Sequence, residues 1–360
     1  MLFFHKNVPP NKPLDKKSIC MNRLSAELDS FFTEAQVLVD DTLRKIIAPK
    51  GDAIPNLDEG LAYGLGLDED GVNAGKRIRP LLCLLVCREL SGDARPALPF
   101  AAAIELMHNF CLVHDDIEDG DEVRRGRPAV WKKYGLAHAI NIGDYMFTKV
   151  FEALLLDSYS TPPDRLVRLF ELMRSTLDHT HRGQALDMNA REGRISVEHY
   201  MKLVTEKTGH YLAAPLVAGA ISSEADAEVI AALNTFGLMI GPMFQIRDDV
   251  IDLTHGKGRD FIGSDIKEGK RSFLVAHALE NAAAEDQSRL LEILDLDRSE
   301  TTDENVQEAL AIFNRCGAMQ AADARCEELR RHAEDALQVL PANLRDRLLE
   351  VTAYLIARTV

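Results

Sequence analysis

Asp115-Asp116-Ile117-Glu118-Asp119 and Asp248-Asp249-Val250-Ile251-Asp252 carry aspartate at the same first, second and fifth places. Each run follows an apolar stretch of helical character, Ala101 to His114 and Phe236 to Ile246. At about 3.6 residues per turn the first and fifth aspartates stand one above the other, and the second is turned by roughly 100°. Two or three carboxylates then share one volume, where they repel unless a cation sits between them. Oxygen donors with no His or Cys at ligand spacing suit Mg²⁺, which takes one or two protein carboxylates and completes its octahedron with water and substrate phosphate. The pattern predicts a diphosphate substrate. One such run would read as a solvated helix face, but two of identical spacing on facing helices are hard to explain that way. Neither run has the loop length or central Gly of a calcium hand.

Basic residues lie where a diphosphate would need them. Gly75-Lys76-Arg77-Ile78-Arg79-Pro80 opens the apolar run Leu81 to Val86. Pro80 fits a first helical turn, so Lys76, Arg77 and Arg79 are expected to cluster at a helix N-terminus, where the backbone dipole favours anions. His108 stands two turns before Asp115 on nearly the same face. Arg124-Arg125-Gly126 follows closely behind Asp119, and the planar fork of Arg binds phosphate oxygens in pairs. Lys207-Thr208-Gly209 interrupts a helix, where Gly can release a carbonyl.

The elements that must position these groups read as helices almost throughout. Leu24, Leu28, Phe31, Phe32, Ala35, Leu38 and Val39 recur at three- and four-residue steps. Gly51 to Asn73 reads as a loop, and helical patterns cover His138 to Leu156, Pro163 to Leu186, Val197 to Leu216, Ala225 to Asp252 and Ser272 to Glu280, with about three more to Val360. Alternating strand patterns are scarce, so the fold class is all-α. Residues 22–360 form one large domain, since no linker-like composition divides them. Residues 1–21, with three Pro and four Lys in the first twenty, read as a disordered tail. No stretch reads as a membrane span.

Of the 360 residues, 46% are hydrophobic, ample for a large core. A net charge of -15 excludes nucleic acid as partner, since a polyanion needs a basic face. Six cysteines form no CxxC or zinc spacing and predict buried thiols of a reducing cytoplasm.

In their order, these motifs resemble the trans-isoprenyl diphosphate synthases, makers of geranyl, farnesyl, geranylgeranyl and longer polyprenyl diphosphates. The likeness runs from Gly75 to Ser272 and includes Gly183-Gln184, Gln245 and Gly269-Lys270. It implies a large antiparallel helical bundle around a central cavity, a homodimer, and Mg²⁺, three ions with substrate bound. It places the metal on Asp115, Asp116, Asp119, Asp248, Asp249 and Asp252. Lys76, Arg79, His108 and Arg125 would hold isopentenyl diphosphate. Arg124, Lys207, Thr208, Gln245 and Lys270 would serve the allylic diphosphate, with Lys207 catalytic. Either Lys257 or Arg259 fills a further basic role, because this segment is two residues longer than usual.

Product length is expected to depend on Phe110, about 7.5 Å before Asp115 along the helix, with Cys111 beside it and Met107 and Ala103 below. The aromatic at Phe110 resembles the pattern of geranylgeranyl diphosphate synthases, a C20 product, with C15 the runner-up. A terpene cyclase would have a different second metal motif and no site for isopentenyl diphosphate. A non-catalytic subunit would have lost aspartates that are present here. An acidic, ion-binding scaffold leaves the basic cluster unexplained.

Overall fold

The computed structural model describes residues 24–68, 75–254 and 262–356. The tail 1–21, Lys257 and Arg259 lie outside the described residues. The chain runs through α1 (Ala26–Ile47), α2 (Asp58–Leu65), α3 (Ile78–Ser91), α4 (Leu98–Glu118), a hairpin of β1 (Val123–Arg124) and β2 (Arg127–Pro128), α5 (Val130–Tyr134) and α6 (Leu136–Leu154). It continues through α7 (Pro163–Ala190), α8 (Val197–Val204), α9 (His210–Ser222), α10 (Ala227–Thr254), α11 (Ser264–Lys267), α12 (Phe273–Asn281), α13 (Ala284–Leu294), α14 (Asp303–Arg315), α15 (Ala318–Ala336) and α16 (Ala342–Ile356). The fold is an all-α bundle, as the periodicity predicts.

Ser25 caps α1 by accepting from Leu28 N–H, and the helix buries Leu28, Phe32, Ala35, Val39 and Leu43. The segment expected to be a loop contains α2, which buries Leu61, Tyr63 and Leu65. Its short apolar spacing is hidden among Gly and Asp, and the Asp58 and Glu59 carboxylates accept from Ile54 and Asn56 N–H, satisfying backbone donors just before the helix.

α4 packs mainly on α6 and α3, α10 on α9 and α15, and α7 on α9. Segments Arg95–Glu118 and Ala227–Thr254 are long and apolar enough to cross a bilayer by length and composition alone. Within the bundle 72% and 50% of their apolar windows are buried, and helices apolar on several sides are what a large core demands.

Between α8 and α9, Thr205–Gly209 forms one turn of π-helix, in which His210 N–H donates to the Thr205 carbonyl. This is the interruption expected at Lys207-Thr208-Gly209, and such single turns widen a helix locally without ending it.

Candidate active site

Both aspartate runs end long helices, α4 and α10, so the negative ends of two helix dipoles reinforce the carboxylates. Asp115 lines a cleft of about 250 Å³ together with Arg79, His108, Phe110, Lys207 and Gln245. A neighbouring hollow of about 110 Å³ shares Lys207 and Gln245 and adds Asp187, Asp248, Asp265 and Lys270. The two aspartate runs therefore line adjoining hollows that share Lys207 and Gln245.

Gln184 donates to Asp115 Oδ1 at 3.2 Å and to Glu118 Oε2 at 2.6 Å. Burial, together with Asp119 and Glu118, pushes the Asp115 carboxyl up to about 6 against the pull of Lys207. Asp119 is tied to Arg191 at 2.7 Å and to Lys270 at 3.5 Å. Burial works against its ionisation, but Lys270 and Arg191 outweigh it and hold the carboxyl below the usual range. Asp116 turns toward the hairpin, where Arg124 Nε donates to it at 2.7 Å.

In the second run the three aspartates divide their work. Asp248 lines the second hollow, and Asp249 reaches its wall beside it. Asp249 is 4% exposed, and it accepts from Tyr200 Oη at 2.7 Å, from Phe273 N–H at 3.0 Å and from Gln245 Nε2 at 3.1 Å. It thereby fixes the start of α12. Asp252 is fully buried and accepts from Ser264 Oγ at 2.5 Å and Asp265 N–H at 3.0 Å. That pairing holds α11 against the end of α10.

The basic groups separate as sharply. Arg79 lies with its guanidinium carbon 4.2 Å from the Tyr211 ring centre, and its buried Nε has no hydrogen-bond partner among the described residues. His108 lies tilted beside the same ring, 5.9 Å between centres. Burial and then Arg79, Arg125, Arg124 and Arg77 hold the His108 imidazole well below its ordinary value. Arg125, at φ 54 in the tight hairpin turn, packs over Gly75, where an added Cβ would lie 2.8 Å from the guanidinium. Lys76 is exposed.

Arg77 does not join them. The expected cluster at the start of α3 loses this member, whose side chain donates to Asp40 at 2.9 Å, Glu105 at 2.7 Å and the Leu65 carbonyl at 2.8 Å. Its φ of 48 turns it inward, and nothing in a run of three basic residues tells which one will face the core.

The polyprenyl synthetase family pattern matches residues 69–313. The chain belongs to this family. It is 39% identical over 290 residues to the short chain isoprenyl diphosphate synthase of Methanothermobacter thermautotrophicus, covering 79% of this chain and 86% of that one. It is similar to the solved geranylgeranyl pyrophosphate synthetase of Pyrococcus horikoshii, with TM-score 0.82, 33% identity, and 92% and 98% of the two chains covered. It is also similar to the geranylgeranyl pyrophosphate synthase of Corynebacterium glutamicum solved with isoprenyl diphosphate and magnesium, with TM-score 0.78, 25% identity, and 91% and 99% covered.

Between the two hollows, Lys207 Nζ donates to Asp187 at 2.6 Å, and Thr208 Oγ1 lies 3.5 Å from Gln245 Oε1. A Cβ on Gly183 would lie 2.3 Å from Lys207 N, so only glycine lets α7 approach the π-turn this closely. Lys270 sits among Glu268, Asp119 and Asp265. Burial opposes its charge, and these carboxylates raise its pKa regardless. The oxygen-only donors fit a hard divalent cation, as does the cost of keeping Asp115 ionised in their midst.

Phe110 is 6% exposed and meets His114, Phe147 and His181 at ring distances of 5.0, 5.4 and 5.8 Å. Cys111 shares the cleft wall. Met107, fully buried, lies behind the residues that line the cleft. Several site groups were not expected from sequence. Asp187 is three residues past Gln184 on α7, a helical step that could have found it. Arg298, which donates to the Asp119 carbonyl at 2.8 Å and Asp121 Oδ1 at 3.1 Å, comes from between α13 and α14 and has no local signal.

Proposed function

We infer that the protein joins isopentenyl diphosphate to an allylic diphosphate, head to tail, giving a trans-polyprenyl diphosphate of about twenty carbons and free diphosphate. The observation that carries this reading is the pair of adjoining hollows with carboxylate-bearing helix ends on two walls and, on another, the buried Arg79 Nε, which has no hydrogen-bond partner among the described residues. One wall suits a metal-bound diphosphate and the other a diphosphate held by cations alone.

Asp115 and Asp119 on one side, and Asp248 on the other, would hold Mg²⁺, with Asp116, Asp249 and Asp252 setting their positions. When bound, the metal supplies charge neutralisation to the leaving diphosphate. The relative from Corynebacterium glutamicum with isoprenyl diphosphate and magnesium supports that choice of ion. Lys207, Lys270 and Arg124 offer positive charge to the same leaving group as the allylic C–O bond breaks, a preorganised contribution of several kcal/mol. Thr208 and Gln245 flank the emerging allylic cation. Lys76, Arg79, Arg125 and a neutral His108 hold isopentenyl diphosphate so that its double bond meets that cation. The departed diphosphate takes the final proton.

Phe110, backed by Phe147 and His181, closes the apolar end of the cleft and sets the chain length. Leu136, Ile140 and Phe151 on α6, with Leu155 just past it, remain exposed within an arc of about 100°. This stripe supports a homodimer. The five described cysteines are free thiols, in keeping with a cytoplasmic protein. Incubation of the purified protein with Mg²⁺, isopentenyl diphosphate and each allylic starter, followed by sizing of the products, tests the reading. A cyclic hydrocarbon, or no turnover, sinks it.

A further inference from the structure

The π-turn Thr205–Gly209 has a second, outward flank. Lys207 and Thr208 line the cleft, whereas Glu206 borders an outer groove of about 430 Å³ with Lys202, Leu238 and His332. His179 arrives beside it from α7, and His210 opens α9. Their rings lie face to face, 3.6 Å between centres and 5° between planes. His179 Nδ1 is 2.6 Å from Glu206 Oε2. One donor atom from each of the three residues falls within 4.8 Å of the other two.

Two imidazoles and a carboxylate are the donor set of borderline ions such as Zn²⁺ and Co²⁺, with bonds of about 2.0–2.2 Å. Mg²⁺ prefers oxygen throughout. Two stacked imidazoles repel if both are protonated, and burial followed by His179 lowers the pKa of His210. For His210 this favours the neutral form that a metal requires, against the opposing pull of Glu206. The three segments are also held in place, since α7 meets the turn at Gly183 with no space for a side chain. To put both lone pairs on one ion the parallel rings must each turn by roughly 50°, since ligands of a tetrahedral ion diverge at about 109°. The groove beside Glu206 offers an entry path, and a water would complete the coordination of an ion held by three protein ligands.

We propose that His179, Glu206 and His210 form a binding site for a borderline divalent transition ion, separate from the aspartate cleft and seated on the outer flank of the turn that carries Lys207 and Thr208. An ion there links α7 to both ends of that turn, so it steadies the backbone on which two cleft residues stand.

The test uses the full chain, stripped with chelator, dialysed, and kept in excess Mg²⁺ to occupy the carboxylates of the cleft. Co²⁺ is titrated in and followed by its visible absorption and by calorimetry, and Zn²⁺ is then added as competitor. The expected result is one equivalent of Co²⁺ bound despite Mg²⁺ and displaced by Zn²⁺. It is kept in Asp115→Asn/Asp248→Asn, lost in His179→Gln/His210→Gln, and weakened at least 10-fold (about 1.4 kcal/mol) in Glu206→Gln. His210→Gln alone replaces the double variant if that chain fails to fold by circular dichroism. Co²⁺ binding that survives the histidine changes, or disappears with the aspartate changes, overturns the assignment. So does the absence of binding in excess Mg²⁺, which leaves His179 and Glu206 as an ion pair only.

Discussion

Arg77 donates to Glu105 across 2.7 Å, with side-chain exposures of 0% and 3%. This ion pair pins α3 to the middle of α4, so the two helices that present Arg79 and His108 share one buried fastening. Removing one partner of a buried pair strands the other charge, at a cost of roughly 3–5 kcal/mol. Arg77→Ala should therefore lower the urea midpoint sharply. Lys76→Ala, at an exposed position, should leave the midpoint almost unchanged.

Arg79→Ala should act on substrate rather than on fold. A charge-assisted hydrogen bond is worth about 1.5–3 kcal/mol, so KM for isopentenyl diphosphate should rise by roughly 10- to 100-fold, with KM for the allylic partner much less affected. Equal weakening of both substrates in steady-state kinetics would show that the two diphosphate sites have been divided wrongly.

The aspartates separate into two classes by consequence. Asp115→Asn and Asp248→Asn should reduce turnover by about 100-fold or more through lost charge stabilisation. In chelator, Asp115→Asn should melt no lower than the parent, because it removes a buried charge crowded by Asp119 and Glu118. Asp249→Ala should instead destabilise the chain, by about 1–3 kcal/mol for each donor left unpaired at Tyr200 and Phe273. Thermal melts of the three variants side by side distinguish the classes.

His108 gives stability a pH dependence of known sign. Its folded pKa is depressed, by burial first and then by the surrounding arginines, while the unfolded value is near 6.5. Above pH 6.5 neither state holds the proton and there is no penalty. Below it the unfolded chain takes up a proton that the folded chain refuses, so stability falls by up to about 1.4 kcal/mol per pH unit. Denaturation at pH 7.5 and 5.5 should show His108→Gln losing less stability than the parent; an identical loss would falsify the assignment.

Phe110→Ala should lengthen the product beyond C20, at a stability cost of about 3–5 kcal/mol. The space opens toward Phe147 and His181, whose rings it touches, before it reaches Met107. Chromatography of the hydrolysed products reads this directly.

Much of the site could be read from the sequence because its parts are local. The repeated aspartate spacing located both helix ends, and the length of the apolar runs located the helices that carry them. Inward or outward choice was less legible. Lys76, Arg77 and Arg79 look alike in a string, yet one is exposed, one is in the core and one faces the cleft, because the left-handed backbone at Arg77 reverses the local direction. The different duties of Asp248, Asp249 and Asp252 depend on Tyr200, Ser264 and Phe273, which lie far along the chain or on the other side of a turn. Arg298 reaches Asp119 across 179 residues, a separation at which only tertiary packing decides.

The π-turn at Thr205–Gly209 also sets an angular phase. A five-residue loop in the hydrogen-bond pattern carries one residue more than an α-helical turn, so α9 is offset from the path of α8 by about 100°. Tyr211 reaches Arg79 only with that offset. Rewinding this turn as α-helix with all its residues kept would swing the Tyr211 ring away from its guanidinium, even with every cleft residue unchanged in type. The winding of this segment, as well as the identity of Lys207 and Thr208, is what it must preserve.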